Sequence, residues 1–191
     1  MLKASEEVPM LPPGVSSAAE LPGRWWVGHT KSRFEKAFAR DLLERGIVFF
    51  LPQVERVRVF GGRKRRILLP LFPSYVFFCG DEESRVTAMR TNRLCRTIDV
   101  SEQDKLVSEC SAIEQALAGG AGLDPWPGLS LGRRCRVTAG PLRGIEGTVI
   151  RKDGRTRIVL QVSVLGLGAS LEIDADFLEP TEEHQHAGSG A

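Results

Sequence analysis

Three groups of side chains in this 191-residue chain have the types and spacing for chemistry. The titratable ones offer no catalysis. His29 is the only histidine ahead of the C-terminal tail, where His184 and His186 stand in a polar stretch. No nucleophile occupies a recognisable elbow, no glycine loop has phosphate-binding spacing, and no ligand set has metal spacing. No catalytic residue, cofactor or metal is therefore expected, and the chain is read as a non-enzyme. Cys79, Cys95, Cys110 and Cys135 lie 15 to 25 positions apart with no CxxC pair. That argues against zinc and against a disulfide framework, and fits reduced thiols in a cytoplasmic protein.

The second group is basic. Lys31, Arg33, Lys36 and Arg40 cluster around the expected first helix, and Arg63, Lys64, Arg65 and Arg66 run consecutively. Clusters of this kind attract phosphate without reading sequence, and a solvated face is the alternative. The net charge of +2 hides them: residues 24–66 hold twelve Lys/Arg against four Asp/Glu, and residues 133–157 eight against two. Residues 81–124 hold five against nine, and no Lys or Arg follows Arg157. Blocks of this size set local fields that the total conceals. The third group is aromatic. Phe72 lies between Pro70 and Pro73 and is followed by Tyr75, Phe77 and Phe78. Strand alternation leaves Trp25 and Phe77 open to a core role. Phe72, between loop prolines, has no strand neighbour obliging it inward and is expected outside.

The elements that would position these groups follow from periodicity. Trp25-Trp26-Val27 predicts a first strand. Ser32 and Glu35 have capping-box spacing, Phe34, Ala37, Phe38 and Leu42 mark an amphipathic helix, and Gly46 stands where its cap belongs. Ile47–Leu51 is a β-type run, and Val57 and Val59 alternate with arginines up to Gly61-Gly62, a hairpin turn. Tyr75–Phe78 predicts a strand, about Asp81–Met89 a short acidic helix, and Cys95–Ile98 another strand. Ser101 to about Ala118 predicts a long helix with Leu106, Ile113 and Leu117 on its apolar side. From Gly132 onward short strands alternate with glycine turns, the pattern of a small bent barrel.

A hydrophobic share of 42% suffices for a core in each of two small domains. Residues 1–23, rich in Pro, Ala, Ser and Glu, are expected to be a disordered leader and do not read as a signal peptide. The first domain is expected over 24–118, a flexible linker over 119–131, the second domain over 132–180 and a disordered tail over 181–191. No apolar run approaches the roughly 20 residues that span a bilayer. The expected fold class is α+β: an antiparallel sheet flanked by helices, linked to a small SH3-like barrel.

The segment Val137-Thr138-Ala139-Gly140-Pro141-Leu142-Arg143-Gly144-Ile145-Glu146-Gly147-Thr148-Val149 resembles the KOW motif of ribosomal proteins and transcription factors. Gly140-Pro141 turns the chain, Gly144 relieves the loop, and Gly147 lets the next strand pass close to its neighbour. Leu142, Arg143 and Ile145 are expected on the loop surface, with closure of the barrel end as the alternative for the two apolar residues. The aromatic start, the charged helix, the basic hairpin and Pro70–Phe77 together resemble the N-terminal domain (NGN) of the NusG family. The resemblance covers about residues 24–180.

That resemblance implies a transcription elongation or antitermination factor that docks on the clamp helices of RNA polymerase. Its docking patch would comprise Trp26, His29, Phe72, Tyr75 and Phe77. The helix cluster could face non-template DNA, and the hairpin arginines DNA backbone or polymerase. Leu142, Arg143 and Ile145 would meet a ribosomal protein or the Rho factor. The chain would be a monomer with no membrane partner. The compact Arg45–Pro52 stretch, Ser74 in place of a usual Gly and Thr91–Cys95 in place of a Pro-Gly-Val turn look more like the specialised RfaH-like paralogues than housekeeping NusG. Alternatives are a housekeeping NusG acting on most genes and, of another class, a ribosome-associated KOW module that binds RNA. A helical, fold-switching second domain is not expected, because Ile158-Val159-Leu160 favours strand and the linker is glycine-rich.

Overall fold

A computed structural model describes residues 7–128 and 132–181. The expected tail, residues 181–191, lies outside the described residues except for Thr181. In chain order the elements are β1 (Arg24–Thr30), α1 (Glu35–Glu44), β2 (Phe49–Phe50), β3 (Gln53–Phe60), β4 (Arg63–Pro70), β5 (Tyr75–Gly80), α2 (Glu82–Arg90), β6 (Leu94–Asp99) and α3 (Gln103–Ala118). After them come β7 (Asp124–Trp126), β8 (Arg133–Val137), β9 (Glu146–Lys152), β10 (Arg155–Val162), β11 (Leu167–Glu172) and β12 (Leu178–Pro180). The fold is α+β, as the periodicity predicts.

The first unit is an antiparallel sheet in the order β2-β5-β1-β6. Trp26, Phe49, Val76 and Phe78 meet Phe38, Ala39 and Leu42 of α1 on one side. Trp25, Val27, Phe50, Phe77 and Cys79 meet Leu106, Cys110, Ile113 and Ala116 of α3 on the other. With both faces apolar, the strands read as near-continuous hydrophobic runs. Gly28 permits close approach on the α1 side: a Cβ there would stand 3.0 Å from the Phe38 ring. The helix stop at Gly46 is as expected, with φ +69 and backbone bonds from Gly46 and Ile47 back to Leu43 and Leu42. β3 and β4 leave this sheet as a separate two-stranded ribbon turned by Gly61 (φ +53) and Gly62 (φ +78).

The second unit is a six-stranded antiparallel sheet in the order β12-β8-β9-β10-β11-β7, around Val137, Ile158, Leu160, Val162, Ala169 and Leu171. Gly147 on β9 is needed there, since a Cβ would lie 2.6 Å from the Val159 carbonyl oxygen. The C-terminal unit is therefore all strand apart from single 3-10 turns, as the β-rich sequence predicts.

Two expectations about connecting segments are corrected. The leader is not loose from residue 7 onward: Val8, Ala18 and Leu21 are buried, and Ser17 Oγ and the Ala18 N–H both donate to the Glu114 carboxylate of α3 at 2.9 and 2.8 Å. The Leu51 N–H donates to the Met10 carbonyl, and Gln53 Nε2 to that of Val8. Isolated apolar residues between prolines give no periodic signal, which is why composition pointed elsewhere. Nor does the linker run free. Asp124–Trp126 pair with Ser170–Gly168 of β11, and Leu123 is fully buried. Pro125 is tolerated because β7 is an edge strand.

A fragment spanning 123–181 is expected to give an all-β circular-dichroism spectrum. Starting it at 132 should lower its melting temperature by roughly 4–8 °C, the consequence of losing about 1 kcal/mol of strand pairing in so small a domain. A mainly helical spectrum would contradict the strand assignment.

Candidate functional site

The register of β1 against β5 decides which expected docking residues can share a surface. Trp25 lies opposite Cys79, Val27 opposite Phe77 and His29 opposite Tyr75; Trp26 lies opposite Phe78. Directly opposed residues point to the same side of a sheet and neighbours along a strand to opposite sides. His29, Tyr75 and Phe77 are thus on the α3 side, and Trp26 is on the α1 side. Trp26 does not join the patch. Its indole is 8% exposed, with the guanidinium carbons of Arg24 and Arg85 4.7 and 5.5 Å from the ring centre. It braces α2 against the first strand.

Phe72 and Phe77 are also corrected, being 2% and 0% exposed. The Pro70–Ser74 loop folds back through bonds from the Leu71 N–H to Pro52 O (2.8 Å) and from the Tyr75 N–H to Phe72 O (3.1 Å). Phe72 then meets Phe77 edge-on, with ring centres 6.1 Å apart. Flanking prolines set the backbone path but leave the ring free to turn into the core. What stays accessible is a half-buried pair: His29 and Tyr75 stack at 5.1 Å with 22° between their rings.

The loop carrying Phe72 is held by a residue with no site role expected of it. Ser74 has φ +69, a conformation costly for any side chain. Its carbonyl accepts from the Thr30 N–H at 2.8 Å, and its N–H donates to Glu35 Oε1 at 2.6 Å. Glu35 is 7% exposed. The expected capping box is absent: Phe34 is the N-cap residue without a side-chain bond, and the carboxylate serves the loop instead. A signal existed, because Glu35, Phe38, Ala39 and Leu42 fall on one helical stripe, where a carboxylate needs a partner.

The basic residues divide. Lys31 Nζ donates to Asn92 Oδ1 at 3.2 Å, and Lys36 Nζ to Leu68 O at the ribbon's base at 2.8 Å. Lys31 and Arg33 were expected on the first helix but precede α1, which begins at Glu35; Arg33 is exposed and Arg40 half-buried. Arg63, Lys64, Arg65 and Arg66 are all exposed on β4.

The loop after β8 was expected to present its apolar residues outward, and the structure turns them inward. Ile145 is 3% exposed, and Leu142 packs where α3 ends, 3.3 Å from a Cβ placed on Gly119. Gln115 Nε2 donates to Arg143 O, while the Arg143 side chain stays exposed. Further along α3, the Glu109 carboxylate accepts from the Ser163 N–H at 3.0 Å and from its hydroxyl at 2.5 Å. Asp124 closes the arrangement. One of its oxygens accepts from Arg56 at 2.8 Å and the other from Arg157 at 2.7 Å.

With this geometry established, the sheet, the basic ribbon and the Pro70–Phe77 loop find a counterpart: residues 23–115 match the family described as "NusG: Transcription termination factor nusG". Residues 23–115 are thus similar to a NusG domain. No curated protein matches the chain. Among solved structures, the chain is similar to one titled "Domain interaction in Thermotoga maritima NusG", at 17% identity and a TM-score of 0.43, over 83% of this chain and 97% of that one.

Among the described residues, no group of three or more His, Cys, Asp or Glu could hold a metal ion, and no helix is long and apolar enough to cross a membrane. The four cysteines are free, and burial pushes the Cys79 and Cys110 thiols well above their ordinary range. Cys95 is exposed. A thiol reagent at pH 8 is expected to titrate one cysteine in the native protein and four after denaturation; rapid labelling of Cys79 or Cys110 would contradict the packing of α3. Glu35→Ala should destabilise the protein by about 2 kcal/mol in urea unfolding, and Glu35→Gln by less, because the amide oxygen still accepts the Ser74 N–H.

Proposed function

We propose that the protein is a transcription elongation and antitermination factor that docks on the clamp helices of RNA polymerase and makes or breaks no covalent bond. The observation that carries the reading is the stacked His29–Tyr75 pair on the α3 side of the NusG-family sheet. It stands beside a proline loop whose backbone is fixed by Glu35. Rigid aromatics that need no reordering dominate many interfaces, with truncation costs on the order of 2 kcal/mol or more. Docking of this domain near upstream DNA would resist clamp opening and raise processivity. Arg33 and Arg40, with Lys31 and Lys36 beside them, would face the non-template strand.

The C-terminal barrel is read as a KOW domain and a recruiting arm, with a ribosomal protein or Rho as its partner through Leu142, Arg143 and Ile145. Leu142 packs against the end of α3 and Ile145 is buried in the core, so partner binding through this loop would fall first to the exposed Arg143. The specialised, operon-type branch is favoured over the housekeeping one by Ser74. The turn there takes a positive φ that glycine adopts freely, and this chain fills it with a side chain.

Tyr75→Ala combined with His29→Ala is expected to weaken binding to core RNA polymerase at least tenfold while leaving the far-ultraviolet spectrum unchanged. Undiminished co-elution on gel filtration would remove the docking face. Chromatin occupancy of the tagged protein tests the branch: confinement to one or a few long operons is expected, and occupancy across most transcribed genes would assign the housekeeping role.

A further inference from the structure

The β3–β4 ribbon has a distal half that packing does not account for. It forms its own two-stranded sheet, with Val57 opposite Arg66, Arg58 opposite Arg65, Val59 opposite Lys64 and Phe60 opposite Arg63. Opposed residues share a face, so one face carries Arg58, Phe60, Arg63 and Arg65, and the other Val57, Val59, Lys64 and Arg66. Val57, Val59 and Phe60 are 58%, 64% and 50% exposed. Arg66 pairs with Glu55, whereas Arg58, Arg63, Lys64 and Arg65 have no carboxylate partner among the described residues. Arginine directly across from arginine weakens an isolated ribbon. A polyanion along the ribbon would reverse that sign.

The distribution of charge selects the polyanion. A lipid surface takes an element with one apolar face and cations on the other, but here each face mixes both. A peptide added to the ribbon's edge would use backbone groups and would need no arginines on the two faces. A duplex groove meets these demands together: it admits a two-stranded ribbon and presents phosphates on both walls. It also offers apolar contact at thymine methyl groups on its floor. The ribbon reaches about 17 Å over its last five residue pairs, enough to cross a groove roughly 12 Å wide.

We propose that the β3–β4 ribbon is a DNA-binding arm that enters the major groove of a duplex. Arg58, Arg63, Lys64, Arg65 and Arg66 contact phosphates of both walls, and Phe60, ahead of the Gly61-Gly62 turn, leads against the base edges. This extends the reading of the chain as a factor working on transcribed DNA, but its test needs neither polymerase nor transcription.

Full-length protein would be titrated into a fluorescent 20-base-pair duplex, the matching single strand, and anionic vesicles, over a range of salt. Duplex binding tighter than single-strand binding is expected. Arg63→Gln with Arg65→Gln should cut duplex affinity at least tenfold and lower the slope of log affinity against log salt by about two, since each neutralised phosphate contributes roughly 0.9. Phe60→Ser should leave that slope unchanged and weaken binding several-fold. It should also abolish the loss of affinity that wild type shows when uracil replaces thymine. An unchanged slope in the double variant, equal or tighter binding to the single strand, or binding to vesicles but not duplex would each overturn the arm. All substituted positions are exposed, and matching melting curves would confirm that the fold persists. A failure here leaves polymerase docking standing, and loss of docking in the Tyr75 and His29 variant leaves the arm standing.

Discussion

The structure depends on covering both faces of one four-stranded sheet. A sheet with apolar residues at nearly every position of β1, β2 and β5 cannot leave either side to water, and the chain supplies α1 for one and α3 for the other. Strand alternation then sorts the aromatics without regard to their use. Trp26, Phe49 and Phe78 go to α1, and Trp25, Phe50 and Phe77 go to α3. A recognition surface can only be what this sorting leaves uncovered. That is why two residues, His29 and Tyr75, remain where five had been expected.

The same constraint explains the buried carboxylate. The turn into β5 must bring Tyr75 into register opposite His29, and the chain does so through a left-handed Ser74. The resulting inward N–H has no strand partner, and a buried amide without an acceptor is costly. Glu35, placed by the first turn of α1, supplies that acceptor. A helix that needs an acid near its N-terminus and a loop that needs an acceptor are satisfied by one side chain.

Much of the fold was legible because it rests on local periodicity. The helix stop at Gly46, the Gly61-Gly62 turn, the extents of α2 and α3, and the close approach at Gly147 each follow from two or three neighbouring residues. What was not legible rests on contacts between distant segments. Nothing near Phe72 says that Phe77 will be edge-on beneath it, and nothing near Ser17 says that Glu114 will receive it. Leu142 looked exposed because a loop in isolation has no α3 end beside it, and Ile145 because it shows no core for the side chain to enter. The candidate site was readable in kind, an aromatic loop with basic neighbours, but not in membership, because membership is decided by faces.

Helix α3 therefore carries three loads. Its Leu106–Ala116 stripe seals the sheet, Glu114 holds the leader, and Glu109 and Gln115 hold the barrel. These contacts differ in strength. The stripe is apolar and fully desolvated, so its removal would expose the core. The barrel is held by the buried apolar cluster it shares with that stripe, in which Ile158, Leu160 and Val162 join Leu106 and Ile113, by the Glu109 and Gln115 contacts, and by an ion triad at Asp124, whose carboxylate is half exposed. Ion pairs at that exposure contribute at most about 1 kcal/mol each and weaken with salt. The shared apolar cluster therefore carries more of the attachment than the ion pairs do.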